Sequence, residues 1–354
     1  MSKSIRAVIA ATAIVLSAGP VAAQQSVADF YKGKNIDLYI GYTQGGGYDL
    51  YARFTAKHME KHIPGNPKII PRQMTGAGSQ KAAGYVYEIA PKDGTVLAAT
   101  AQELPLDQAL GTLNIKFDAT KVHWIGNPSI DNNVVVTWHT SGVKSVADAK
   151  QKQYVMAATG ATSGSARYPQ VLNSLAGTKF KILAGYPGGR DMDLAMERGE
   201  VHGRGSQAYA SYKATQPDWL RDGKVIFIAQ VGLTKEPELP NVPLLTDVVS
   251  NPDDRAALKL LSGPTTIGRP LYTTPGVPAE RVAALRKAFD ATMKDPDYLA
   301  DLAKAKLELN PMGGEALQKV VQDMVNTPKP IAQRLLKAIE GRDVETMAKG
   351  AKKK

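Results

Sequence analysis

Thr43-Gln44-Gly45-Gly46-Gly47-Tyr48-Asp49 is the stretch from which the fold of this chain can be read. It follows Asn35 to Tyr42, a run with the length and composition of a strand, and opens Asp49 to His62, where apolar residues recur at helical spacing. Consecutive glycines at a strand-to-helix turn let the backbone approach another group closely. The free amide hydrogens of the first helical turn favour an anion. The same arrangement recurs three times. Thr75-Gly76-Ala77-Gly78-Ser79 follows a strand expected over Lys68 to Met74, Thr159-Gly160-Ala161-Thr162-Ser163-Gly164-Ser165 follows Tyr154 to Ala158, and Tyr186-Pro187-Gly188-Gly189-Arg190 follows Phe180 to Ala184. A single glycine turn is weak evidence, since glycine often ends strands. Four at the carboxyl ends of strands mark the edge where open α/β sheets bind ligands.

Between these turns the chain alternates strands and helices. Helices are expected over Ser79 to Ile89, Ser165 to Ala176 and Arg190 to Arg198, with further strands over Thr95 to Thr100, Val134 to Trp138 and Val201 to Arg204. The rhythm restarts after Trp124, giving two similarly built blocks with two glycine turns in each. A third block gives one strand from Val225, a proline-rich connection at Pro237 to Pro243, and mostly helix from Pro278 onward. A cleft between two such lobes could clamp an anion from both sides.

The N-terminus points to export. Lys3 and Arg6 precede the apolar run Ala7 to Leu16, and Gly19-Pro20-Val21-Ala22-Ala23 offers small residues for cleavage. An apolar core of roughly ten residues falls short of the about twenty that span a bilayer, so residues 1–23 are expected to be a signal peptide and the mature chain to begin near Gln24. The chain has no cysteine, which removes disulfides and cysteine-ligated metals. Its formal charge of +11 includes Lys3 and Arg6, leaving about +9 on the mature chain. The basic residues are scattered, apart from the terminal cluster Lys349 to Lys354, where solvated lysines are the simplest reading. Aromatic residues do not interleave with basic ones, which argues against a nucleic-acid groove.

Gly45-Gly46-Gly47-Tyr48-Asp49-Leu50-Tyr51-Ala52-Arg53, His62-Ile63-Pro64-Gly65-Asn66-Pro67, Gly76-Ala77-Gly78-Ser79 and Ala90-Pro91-Lys92-Asp93-Gly94-Thr95 together resemble the solute receptors of tripartite tricarboxylate transporters, the Bug family. The likeness continues through Gly160 to Ser165, Tyr186 to Gly189 and Thr274-Pro275-Gly276-Val277-Pro278-Ala279-Glu280, and so covers nearly the whole mature chain. The resemblance implies a type II periplasmic-binding-protein fold, two α/β lobes joined by crossing strands. It also implies a solute carboxylate held by main-chain amides of both lobes, and a membrane complex of large and small permease subunits. Carried onto this chain, the lobe-one cradle is Gln44, Gly45, Gly46, Gly47 and Tyr48 with Gly76, Ala77, Gly78 and Ser79. The lobe-two cradle runs from Thr159 and Gly160 through Ser163, Gly164 and Ser165, with Tyr186, Gly188 and Gly189 at its side. Tyr48 departs from the small or hydroxyl residue common before this aspartate, and could narrow the pocket or donate to the solute.

Other candidates have structural alternatives. Asp49 could face a ligand amine or accept amides at its own helix start, and Arg53, one turn on, forms its default ion pair. Arg190 offers a guanidinium fork for a second carboxylate, or lies in solvent; Arg204 is a comparable candidate. Tyr186 and Trp138 could stack on a ring, although a core role suits Trp138 better. Enzymatic readings fit poorly. His58 and His62 have zinc-compatible spacing, but Glu60 is displaced from the position a metalloprotease needs. Ser163 and Ser165 are not in a nucleophile elbow, Gly160 to Ser165 lacks the lysine of a phosphate-binding loop, and Gly76, Gly78 and Lys81 lack the third glycine of a dinucleotide fingerprint.

The expectation is therefore a monomeric periplasmic receptor, without cofactor, metal or catalytic residue, that captures a small di- or tricarboxylate or aromatic acid by lobe closure. Lobe one spans 27–122 and 230–354, and lobe two 123–229. The alternatives are a sensory binding protein feeding a signalling kinase and a periplasmic hydrolase.

Overall fold

The computed structural model describes residues 25–340 and 344–346, so the expected signal peptide and the lysine tail lie outside the described residues. The strands in chain order are β1 (Asn35–Ile40), β2 (Lys68–Gln73), β3 (Val96–Ala99), β4 (His123–Asn127), β5 (Asn133–Trp138) and β6 (Tyr154–Ala158). They continue with β7 (Phe180–Ala184), β8 (Gly203–Ala208), β9 (Val225–Val231), β10 (Leu271–Thr273), β11 (Met312–Gly313) and β12 (Val344–Thr346). They form two six-stranded sheets, ordered β11-β4-β10-β3-β1-β2 and β12-β7-β6-β8-β5-β9.

Each sheet is parallel where helical crossovers connect its strands. β1 pairs in parallel with β2 and β3 across the helices Gly47–Met59 and Gln80–Glu88, as the strand-helix rhythm requires. β6 likewise pairs in parallel with β7 and β8. β10 joins the first sheet antiparallel to β3 and β4, while β5 joins the second antiparallel to β8 and β9. One face of the first sheet packs Ile36, Leu38 and Ile40 against Leu285 and Phe289 of the helix Ala279–Thr292. Trp124 is fully buried, with its indole Nε1 donating to Ala119 O at 2.8 Å.

Three expectations shift. β4 pairs within the first sheet, so the chain crosses to the second sheet between Asn127 and Asn133, later than the expected boundary at 123. It returns after Val231, close to the expected boundary at 230, and β12 then goes back to pair with β7 of the second sheet. Strand pairing, a long-range property, decides this membership. The helix expected over Ser165 to Ala176 is α-helical only over Gly164–Val171, then widens to a π-turn over Leu172–Ala176. Pro169 inside it lacks an N–H and crowds the carbonyl of the preceding turn, which disrupts the regular ladder.

The two crossings pack on each other. Asn132 Nδ2 donates to Thr234 O at 2.7 Å, and a Cβ at Gly232 would strike the Asn132 amide. Among the described residues no helix is long and apolar enough to cross a membrane.

Candidate functional site

The carboxyl ends of the two sheets face one another across a small cavity that offers about 60 Å³ to the centres of water-sized molecules. Gly46, Gly47 and Tyr48 line it from the first sheet, and Thr159, Ser163, Gly164, Ser165 and Gly189 from the second. Three of the four glycine turns thus reach one space. Gly46 has no side chain and Ser163 Oγ caps no backbone amide of the helix it precedes, so neither helix start carries a side-chain cap.

The remaining expected residues lie off the cavity. Gln44 and Ala77 are exposed; Gly45 and Arg190 border a separate groove, with Arg190 exposed, and Tyr186 packs in the core beside Trp138. Asp49 is buried but committed: it accepts from Gly45 N at 3.0 Å and pairs with Arg53 at 2.7 Å. Ser79 Oγ accepts the Ala101 amide at 2.9 Å. Gly76 precedes the left-handed run at Ala77, Gly78 and Ser79. Gly160 and Gly188 act by close approach, since a Cβ at Gly160 would lie 2.7 Å from Gly78 N, and one at Gly188 would strike the Thr43 hydroxyl.

Ser163 and Ser165 bond each other at 2.8 Å, Ser163 Oγ donates to Gly160 O at 2.7 Å, and Ser165 Oγ accepts Thr159 N at 3.1 Å. Their hydroxyls brace the turn. His58 and His62 meet Asp301 at 2.8 Å and Asp295 at 2.7 Å, tying two helices together. Among the described residues no cluster of three metal-ligating side chains occurs.

Contacts between elements of the two sheets surround the cavity. Thr43 Oγ1 donates to Asp191 at 2.9 Å and Gln80 Nε2 to Thr162 Oγ1 at 2.8 Å. Arg167, fully buried on the helix Gly164–Val171, pairs with Asp107 of the helix Leu104–Ala109 and donates to Thr112 Oγ1 at 2.7 Å. Burial pushes the Asp107 carboxyl up to about 7 even with Arg167 beside it. Arg204 lines the cavity, but its guanidinium is occupied by Asp193 at 2.7 Å, Gly189 O at 3.1 Å and Gln207 at 3.0 Å.

Two charged lining residues escaped the sequence reading. Arg269 is 8 % exposed, stacks its guanidinium 4.6 Å from the Tyr48 ring centre and donates through Nη2 to Ser211 Oγ at 2.9 Å. Glu103 is 6 % exposed, and its Oε1 lies 2.5 Å from where a Gly164 Cβ would stand. Burial raises the Glu103 carboxyl above the usual carboxylate range, opposed by its own backbone amide and by the nearby charges of Arg167 and Arg269. Unlike Arg167 and Arg204, neither is in an ion pair among the described residues. Glu103 follows β3 at the same carboxyl edge as the glycine turns, and that position was the available signal. Arg269 had none, because it follows Gly268 far along the chain and reaches the cavity only through sheet pairing of β10. Tyr48 sits between them: its hydroxyl accepts the Gln102 amide at 3.1 Å while its ring carries Arg269.

No family model matches the chain. A curated relative, the UPF0065 protein in gbd 5'region of Cupriavidus necator, is 27 % identical over 342 residues, covering 92 % of this chain and 94 % of the relative. Among solved structures, the R. palustris protein Rpa4515 with adipate superposes with a TM-score of 0.66 at 17 % identity, covering 86 % of this chain and 97 % of that one. The periplasmic binding protein BugD gives 0.65 at 17 % identity, covering 89 % and 100 %. The chain has the two-lobed α/β fold of the Bug-type periplasmic binding proteins, which bears out the resemblance carried by its glycine turns.

Proposed function

We propose that this chain is a periplasmic solute receptor that captures a small carboxylate between its two sheets and delivers it to a membrane transporter built from large and small permease subunits. The observation that carries the reading is the convergence of glycine turns from both sheets, with the buried guanidinium of Arg269, on one cavity. Arg269 is in no ion pair among the described residues, and a carboxylate ligand would give its buried guanidinium a charge-assisted partner. The adipate bound by Rpa4515 supports the same class of solute. The lobes follow the sheets: lobe one takes residues 27–127 and most of the chain after 231, lobe two the segment between, with the C-terminal strand β12 back on lobe two. Closure about the two crossings brings the glycine turns together, and the ligand-bound closed form is what the permease reads. The signal peptide expected over 1–23 takes the chain to the periplasm.

Calorimetry over a panel of aliphatic, hydroxy, amino and aromatic carboxylates, paired with small-angle scattering, tests the receptor reading. Saturable binding without turnover, accompanied by compaction, is expected; a panel with no binder overturns it. Deleting the receptor in its own cell should abolish uptake of the acid it binds, and unchanged uptake would overturn the delivery half.

A further inference from the structure

Glu103 and Arg269 are both more than nine-tenths buried, both line the cavity, and neither has an ion-pair partner among the described residues. Two other buried arginines around the cavity are in ion pairs: Arg167 with Asp107, and Arg204 with Asp193. Burying an unpaired charge costs several kcal/mol, so two left unpaired in one cavity need an account.

The Glu103 carboxyl already lies against Gly164, at the start of the lobe-two helix Gly164–Val171. The helix end offsets a carboxylate by only about 0.3–1 kcal/mol, well below the cost of burying it. A second carboxylate brought to that end would meet Glu103 at close range and be repelled. The carboxylate of a solute is therefore directed to Arg269 and the Gly46–Tyr48 turn. Tyr48 holds the two charges apart, its ring under the guanidinium and its hydroxyl at the Gln102 amide next to Glu103. One small molecule of opposite end charges can bridge them.

We infer that the solute is zwitterionic, a short amino acid whose carboxylate meets Arg269 and whose ammonium meets Glu103. This inference rests on the receptor reading and narrows it from carboxylates in general to amino carboxylates. Glu103 is the specificity-determining group: it attracts an ammonium and repels the second carboxylate of a diacid of the same length.

Matched pairs test it by calorimetry: succinate against 3-aminopropanoate, glutarate against 4-aminobutanoate, and adipate against 5-aminopentanoate. The tightest binder of the six should be an amino acid, at least tenfold tighter than its diacid counterpart. Glu103→Gln, close in shape to the native side chain, should weaken that amino acid tenfold or more while leaving the diacids equal or improved. A simple loss of packing would weaken both members of each pair together, and circular dichroism melting of the variant separates misfolding from altered preference. A diacid as the tightest binder, or a preference unchanged in Glu103→Gln, overturns the inference. If none of the six binds but other carboxylates without an amino group do, this inference fails and the receptor reading stands. If no carboxylate binds at all, both fail.

Discussion

At the scale of single residues, the site divides into groups that touch the cavity and groups that let others come close. Arg269 is of the first kind. Arg269→Gln removes a charge-assisted contact to the solute and should weaken carboxylate binding by about 2–3 kcal/mol, roughly 30- to 150-fold, measured by calorimetry. An unaltered affinity would remove Arg269 from the site. Gly160 is of the second kind, packed on Gly78 from the other sheet. Gly160→Val places a side chain where the Gly78 backbone stands, so closure should be blocked. Scattering at saturating ligand should then report the open dimensions, with affinity lowered at least tenfold. Full compaction of this variant would show that the two turns need not meet.

Among elements, helix ends carry much of the local specification. Asp295 caps the helix Pro296–Lys304, accepting from Asp297 N at 2.9 Å, and also meets Lys61 at 2.7 Å and His62 at 2.7 Å across to the neighbouring helical turn. Burial opposes its charge, but the bonds from Lys61, His62 and the Asp297 and Tyr298 amides prevail and hold its carboxyl well below the usual range. A depressed carboxylate stabilises the fold above its unfolded pKa of about 3.9, and that stabilisation is lost as pH falls below it. Asp295→Ala should cost about 1–2 kcal/mol at pH 7 in urea denaturation, with the deficit shrinking below about pH 4. A deficit independent of pH would mean that packing, not the charge, matters there.

Across the whole molecule, the buried Arg167–Asp107 pair joins a helix of the second sheet to one that follows the first. The Asp107 carboxyl, at about 7 in the folded chain, has the opposite sign to Asp295. The folded state binds its proton more tightly than the unfolded state, so stability is fullest below about pH 4 and declines as pH rises through about 7. Asp131, also pushed up to about 7 by burial against the pull of Arg269, adds to the same decline. Asp107→Asn holds this side chain neutral at every pH, so it is spared the loss the native carboxyl causes as it ionises in the folded chain. Its melting temperature should fall less steeply than the native protein's between pH 5 and pH 8. The comparison of slopes cancels the histidines, which are common to both proteins, and equal slopes would exclude Asp107 as the titrating group.

The sequence by itself determined the two strand-helix blocks, the parallel crossovers and the glycine turns at the strand ends, because these are local matters of spacing and backbone freedom. It also carried the Asp49–Arg53 pair, one helical turn apart, and the core role of Trp138. Tertiary structure alone decided which sheet β4 and β12 join, since pairing of remote strands leaves no local periodicity. It also decided the charge of the cavity. Arg269 and Glu103 lie far apart in the chain and carry no motif, and only the alignment of β3 and β10 in one sheet brings both to the same cavity.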